Sequence, residues 1–185
     1  MGDSKSSLLV LGLGNLLCAD DGVGVRAVES IQRDYQTGEA VRVIDGGTLG
    51  LTLLSTFDGA DDVVLVDAVA GVGPPGTLVR LAGDDVAPAV RNRLSCHQVG
   101  VADLLDSLRL LDSYPERLIL WGVVPASFEL DTSLSPAVAD ALPTLVERVL
   151  EEVRNLGYSL LSRRNAIRDA PIDPAAAPGS RPVRV

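Results

Sequence analysis

Four short apolar runs constrain the fold of this chain more than any other feature. SLLVLGL (7–13), VRVIDGG (41–47), DVVLVDAV (62–69) and RLILWGVV (117–124) are each too short for a core helix, and three of them are almost continuously apolar. Runs of that kind read as strands buried on both faces, as in a parallel sheet, with VRVIDGG stopping at Asp45. Between them lie stretches of helical period. In GVGVRAVESIQRDY, Val25, Val28 and Ile31 recur at three-residue steps with charges between them. Strand alternating with helix implies an α/β fold: a three-layer sandwich with a mostly parallel, twisted sheet of about five strands and helices on both faces. TLVRLAG (77–83) supplies the fifth strand, at an edge.

The helices carry recognisable starts. Thr48 is the expected N-cap of a short helix over 49–57. Ser95, with Gln98 three positions later, forms a capping-box pattern that places His97 in the first turn of a helix running to about 111. Ser135 followed by Pro136 opens a long amphipathic helix, which Pro143 either kinks or truly begins. From Ser162 the composition turns rich in proline, alanine and arginine without apolar periodicity. Residues 1–161 therefore read as a single domain and 162–185 as a disordered tail.

Composition narrows the function. Aromatic residues make up only 3% of the 185-residue chain, so the core is aliphatic, and the formal net charge of -9 disfavours a phosphate-backbone partner. The N-terminal apolar run is too short for a secretory segment and nothing reaches the length of a membrane span, which points to a cytoplasmic protein. Two cysteines, Cys18 and Cys96, make a disulfide framework improbable.

In a parallel α/β sheet, ligands bind beyond the carboxyl ends of the strands. Asp20 and Asp21 follow the first strand, Asp45 the second and Asp67 the third. Gly12 and Gly14 give the GxG of a dinucleotide turn, and Asp45 stands where a ribose-binding acid would. Leu17, however, occupies the third glycine's position, and two aspartates would repel a pyrophosphate. The same turn suits a cation. Each residue also has a plainer reading: one of Asp20 and Asp21 caps backbone N–H groups, Asp45 forms a turn, Asp67 merely ends a strand, and His97 bonds locally. Yet His97 is the chain's one histidine, and a helix N-terminus favours its neutral, metal-binding form. One neutral imidazole and two carboxylates would make a three-ligand site for a divalent metal with positions left open.

Five segments together, GLGNLLCADDGVGVRAV, VIDGGTLGLTLL, VVLVDAV with PPGTLVRL, SCHQVGVADLL and LILWGVVPASFEL, resemble the maturation endopeptidases of nickel-iron hydrogenases, from about Leu8 to about Tyr158. The resemblance implies a cytoplasmic, monomeric endopeptidase, with neither nucleic acid nor membrane as partner. Such an enzyme removes the C-terminal peptide from the precursor of the hydrogenase large subunit after nickel insertion. It also implies that Asp21, Asp67 and His97 are the catalytic and metal-contacting residues. The nickel is then supplied by the precursor, and other divalent cations can take its place in crystals. Where family members often carry proline before the histidine, this chain has Cys96. Three further readings compete: a non-enzymatic nickel-binding chaperone or regulatory module using the same ligands, a nucleotide-binding oxidoreductase, and a Cys96-His97 thiol hydrolase. For the cleavage itself, carbonyl polarisation by the metal and attack by metal-bound water with a carboxylate base are both compatible with the sequence.

Overall fold

A computed structural model describes residues 7–91 and 99–163. Strands β1 (Leu8–Leu13), β3 (Val41–Gly47), β4 (Asp62–Ala68) and β6 (Arg117–Val123) are parallel, and β5 (Leu78–Ala82) pairs antiparallel with β6 at one edge. The order across the five-stranded sheet is β3-β1-β4-β6-β5, so β1 and β4 lie side by side inside it. This is the expected α/β architecture, with the fifth strand at the edge.

Period-two alternation divides the core into two layers. Leu8 and Val10 of β1, with Val64 and Val66 of β4, pack under helices α1 (Val23–Asp34) and α4 (Pro136–Asn155). Leu9, Leu11 and Leu13, with Val63 and Leu65, face the opposite layer, made by the 3-10 segment Gly50–Phe57 and helices α2 (Val86–Arg91) and α3 (Val99–Leu110). Because β1 and β4 bury both faces, every second residue belongs to a different layer, which is why these runs show no polar alternation.

Four local expectations change. The segment after β3 is a 3-10 helix whose N-cap is Leu49 rather than Thr48, and no side chain caps it. Helix α4 does begin at Pro136 after Ser135, but the Ser135 hydroxyl makes no cap bond, and the helix passes through Pro143 rather than starting there. The proposed capping box of Ser95 and Gln98 lies outside the described residues. A small antiparallel ladder of β2 (Tyr35–Thr37) and β7 (Leu160–Ser162) was not expected. It draws Ser162 into a strand, and Arg163 donates from Nε to the Tyr35 carbonyl. The rest of the expected tail, 164–185, is outside the described residues.

Two of the buried acids are each tied to an arginine. Asp62, at the start of β4, receives the Arg117 guanidinium through Nε and, at 2.6 Å, through Nη2, together with the Tyr158 hydroxyl at 2.6 Å. Glu152 of α4 receives Arg80 from β5 at 2.7 and 2.9 Å and the Trp121 indole N–H at 2.9 Å. The hydrogen bond from the Arg80 guanidinium outweighs the opposing effect of burial and, with smaller help from the Trp121 indole and the Arg80 charge, holds the Glu152 carboxyl below its ordinary pKa.

Candidate active site at the carboxyl ends of β1 and β4

Three glycines bring the first turn onto the middle of the sheet. A Cβ at Gly14, whose φ is +123°, would lie 1.7 Å from the Asp21 carbonyl oxygen. One at Gly12 would lie 2.4 Å from the Gly24 carbonyl oxygen, and one at Gly24 would lie 2.1 Å from that of Val66. No side chain fits at any of the three. The 3-10 turn Ala19–Gly22 therefore folds down against Gly14, and the first turn of α1 rests on β4 at the residue before Asp67. Close approach to the sheet is the work of Gly24. Leu17, which the dinucleotide comparison places at the helix contact, points outward and is 58% exposed.

The adjacent aspartates have different tasks. Asp20 accepts three backbone N–H groups from the segment between β6 and α4: Ala126 at 2.8 Å and Ser127 at 3.1 Å on Oδ2, and Ser135 at 2.7 Å on Oδ1. It caps no N–H of its own helix; instead it clamps a loop more than a hundred residues away. Asp21 is equally buried, yet its Oδ2 takes one N–H, from Asn15 at 2.9 Å, and its Oδ1 has no hydrogen-bond partner among the described residues. Asp62 and Glu152 each receive an arginine and Asp20 receives three N–H groups. Asp21 alone of these four buried acids keeps an unmatched oxygen and has no cation beside it. A buried carboxylate oxygen without a donor is costly, and a positive ion delivered from outside relieves that cost.

Asp67 is the buried penultimate residue of β4, paired in register with Gly122 of β6, where an added Cβ would sit 3.0 Å from the Asp67 carbonyl oxygen. Asp21 and Asp67 thus share one end of the sheet. His97 and Cys96 lie outside the described residues. Helix α3 begins at Val99, and its Gly100 packs on Gly50 so closely that a Cβ on Gly100 would lie 2.8 Å from the Gly50 Cα. The start of α3 is therefore held three residues beyond the end of β3, at this same end of the sheet.

Asn15 is the site residue that sequence reasoning missed. Besides holding Asp21, it takes the Leu17 N–H on its side-chain oxygen at 3.0 Å and donates Nδ2 to the Cys18 sulfur at 3.2 Å. Its position after GxG is the available signal. Cys18 is half-buried and held as an acceptor, rather than being simply a small apolar filler. Ala19 adopts φ +46°, a strained value for a side-chain-bearing residue. Asp45 is exposed and accepts the Gly47 N–H at 2.8 Å, the turn-forming role. Among the described residues no helix is long and apolar enough to cross a membrane.

Comparison with known proteins decides the family. The family model described as hydrogenase maturation protease matches residues 25–152. This chain belongs to the hydrogenase maturation protease family. The Hydrogenase 2 maturation protease of Escherichia coli K12 is 37% identical over 163 residues, spanning 88% of this chain and 99% of that protein. Among solved structures, the hydrogenase maturating endopeptidase HybD from E. coli superposes with a TM-score of 0.82 at 36% identity, over 86% of this chain and 99% of that one. The [NiFe] hydrogenase maturation protease HybD from Thermococcus kodakarensis gives 0.67 at 26% identity, over 79% and 98%. Like its relatives, this hydrogenase maturation protease is a hydrolase of the endopeptidase class, built on a mostly parallel five-stranded sheet.

Proposed function

We propose that this protein, a cytoplasmic monomer, removes the C-terminal peptide from the precursor of a nickel-iron hydrogenase large subunit once nickel has been inserted. It recognises the substrate's nickel through Asp21, Asp67 and His97. The observation that carries this reading is the unmatched Oδ1 of Asp21, buried beside β4, whereas three further buried acids, Asp20, Asp62 and Glu152, have arginine or several N–H partners. A cation arriving with the precursor answers that deficit, and Asp67 stands at the same end of the sheet. The anchoring of α3 at Gly100, three residues after His97, supports bringing the imidazole to this mouth.

Such a site is a loading checkpoint. A nickel-free precursor brings no positive charge to the two carboxylates and docks poorly, whereas a nickel-loaded one gains their coordination. Once bound, the ion polarises the scissile carbonyl or acidifies a water beside it. The Asn15 N–H fixes Asp21 Oδ2, and Oδ1, which has no hydrogen-bond partner among the described residues, would be the oxygen to hold the ion.

The test is incubation with nickel-loaded and nickel-free precursor, followed by electrophoresis of the large subunit. Loaded precursor should be shortened by wild-type protein and left intact by Asp21→Asn and His97→Ala. Equal cleavage of both precursor forms would remove the checkpoint.

A further inference from the structure

Nine large apolar side chains are exposed among the described residues, and six of them, Leu17, Leu49, Leu51, Val72, Phe128 and Leu130, belong to the segments that follow β1, β3, β4 and β6. Exposed apolar residues scatter singly over most surfaces; here they gather at the end of the sheet that carries Asp21 and Asp67. Two of them flank a main-chain bridge between separate segments. Cys18 and Asp131 form an isolated parallel bridge, in which the Asp131 N–H donates to the Leu17 carbonyl at 3.1 Å and the Ala19 N–H donates to the Asp131 carbonyl at 2.7 Å. Leu17 and Leu130, each one residue before a bridge partner, consequently stand next to each other, 58% and 88% exposed. The Asp20 carboxylate pins the same loop at Ala126, Ser127 and Ser135, and Arg26 of α1 pins it at the Thr132 carbonyl.

We propose that Leu17 and Leu130 form a preorganised apolar lip beside Asp21 that seats an apolar side chain of the precursor next to the scissile bond. The carboxylates of Glu129 and Asp131, both exposed and flanking Leu130, receive a basic neighbour of that side chain. This rests on the function proposed above and names what, besides the metal, the enzyme reads in its substrate.

Three features favour a polypeptide as the occupant. The lip is continuous with the carboxylate turn, so it lies within reach of a chain presented for cleavage at Asp21. Its charge is acidic around an apolar centre, which selects an apolar residue with a cationic neighbour. Its backbone is fixed by main-chain bonds and the Asp20 clamp before any partner arrives, so docking loses little conformational freedom. Asp20 acts here as a positioning residue, since it touches the loop and not the substrate.

Steady-state cleavage of nickel-loaded precursor by the full chain tests the lip. The double variant Leu17→Ser/Leu130→Ser should raise KM about tenfold or more while kcat stays within about twofold, as expected when exposed anchors of a docking surface are removed. Leu17→Met/Leu130→Met should recover most of the loss, and Leu110→Ser, which changes an exposed leucine at the far end of α3, should behave as wild type. Thermal midpoints should agree among all of these variants. An unchanged KM in the serine double variant, or an equal loss in the methionine one, overturns the lip while leaving the proposed function standing. Wild-type protein that fails to cut loaded precursor overturns both.

Discussion

The backbone N–H of Ser135 donates to Asp20 Oδ1 across 2.7 Å of space and 115 positions of sequence. That bond fastens the N-terminus of α4 to the turn that follows β1, and the same carboxylate holds Ala126 and Ser127. Asp20→Ala would leave three N–H groups facing a space vacated by their acceptor. Such a loss should cost about 3 kcal/mol or more. Urea denaturation monitored by Trp121 fluorescence gives the value, and a midpoint equal to wild type would show that water replaces the clamp without cost.

Its neighbour should behave in the opposite way. Asp21→Asn keeps an oxygen for the Asn15 N–H and removes a buried charge with an unmatched oxygen. Stability should hold or rise by about 1 kcal/mol, while cleavage of loaded precursor falls at least about a hundredfold. Parallel melting curves and activity assays check this, and a large loss of stability would mean that Asp21 is a structural residue like Asp20.

Gly24 tests how tightly the turn is seated. Alanine normally favours a helix over glycine by about 1 kcal/mol. Here the added methyl would meet the Val66 and Leu13 carbonyl oxygens at 2.1 and 2.4 Å. Gly24→Ala should therefore destabilise by about 3 kcal/mol. It should also displace Asp21 relative to Asp67, lowering kcat at temperatures where the variant remains folded. Denaturant titration together with kcat measured well below the melting midpoint would reveal both effects.

Acid should loosen the β5–α4 junction first. The Arg80 hydrogen bond lowers the Glu152 pKa from its ordinary value of 4.5, so the folded state holds this carboxylate ionised more tightly than the unfolded chain does. The associated stability is complete above about pH 4.5 and disappears as pH falls through the lower folded value. Unfolding free energy measured between pH 6 and 3 should fall less steeply in Glu152→Gln than in wild type. That variant should already be weaker at pH 7, by about 1–2 kcal/mol given that Arg80 is half-exposed. Parallel pH profiles would contradict the assignment.

The legible parts of the sequence are those governed by local rules. β1, β4 and β6 announce themselves because both faces are buried, and Asp21 and Asp67 fall at their ends by position in the chain. β2 and β7, at three residues each, carry no period to detect. The division of labour between Asp20 and Asp21 was equally hidden, because the N–H groups that occupy Asp20 come from residues 126, 127 and 135 and no spacing rule connects them. Leu17 misleads for a related reason. A fingerprint assigns close packing to a fixed offset, whereas here the inserted 3-10 turn transfers that duty to Gly24 and turns Leu17 outward. Asn15 carries no motif of its own beyond its place after GxG, and it holds three groups of the site together.

The ladder of β2 and β7 has a practical meaning for anyone handling this enzyme. Tyr35 follows the last turn of α1, and β3 starts soon after at Val41, level with Leu8, so Arg163 is tethered at the pole remote from Asp21 and Asp67. A label attached at Arg163 itself is rooted on the molecule's back, at the opposite end of the sheet from the two carboxylates.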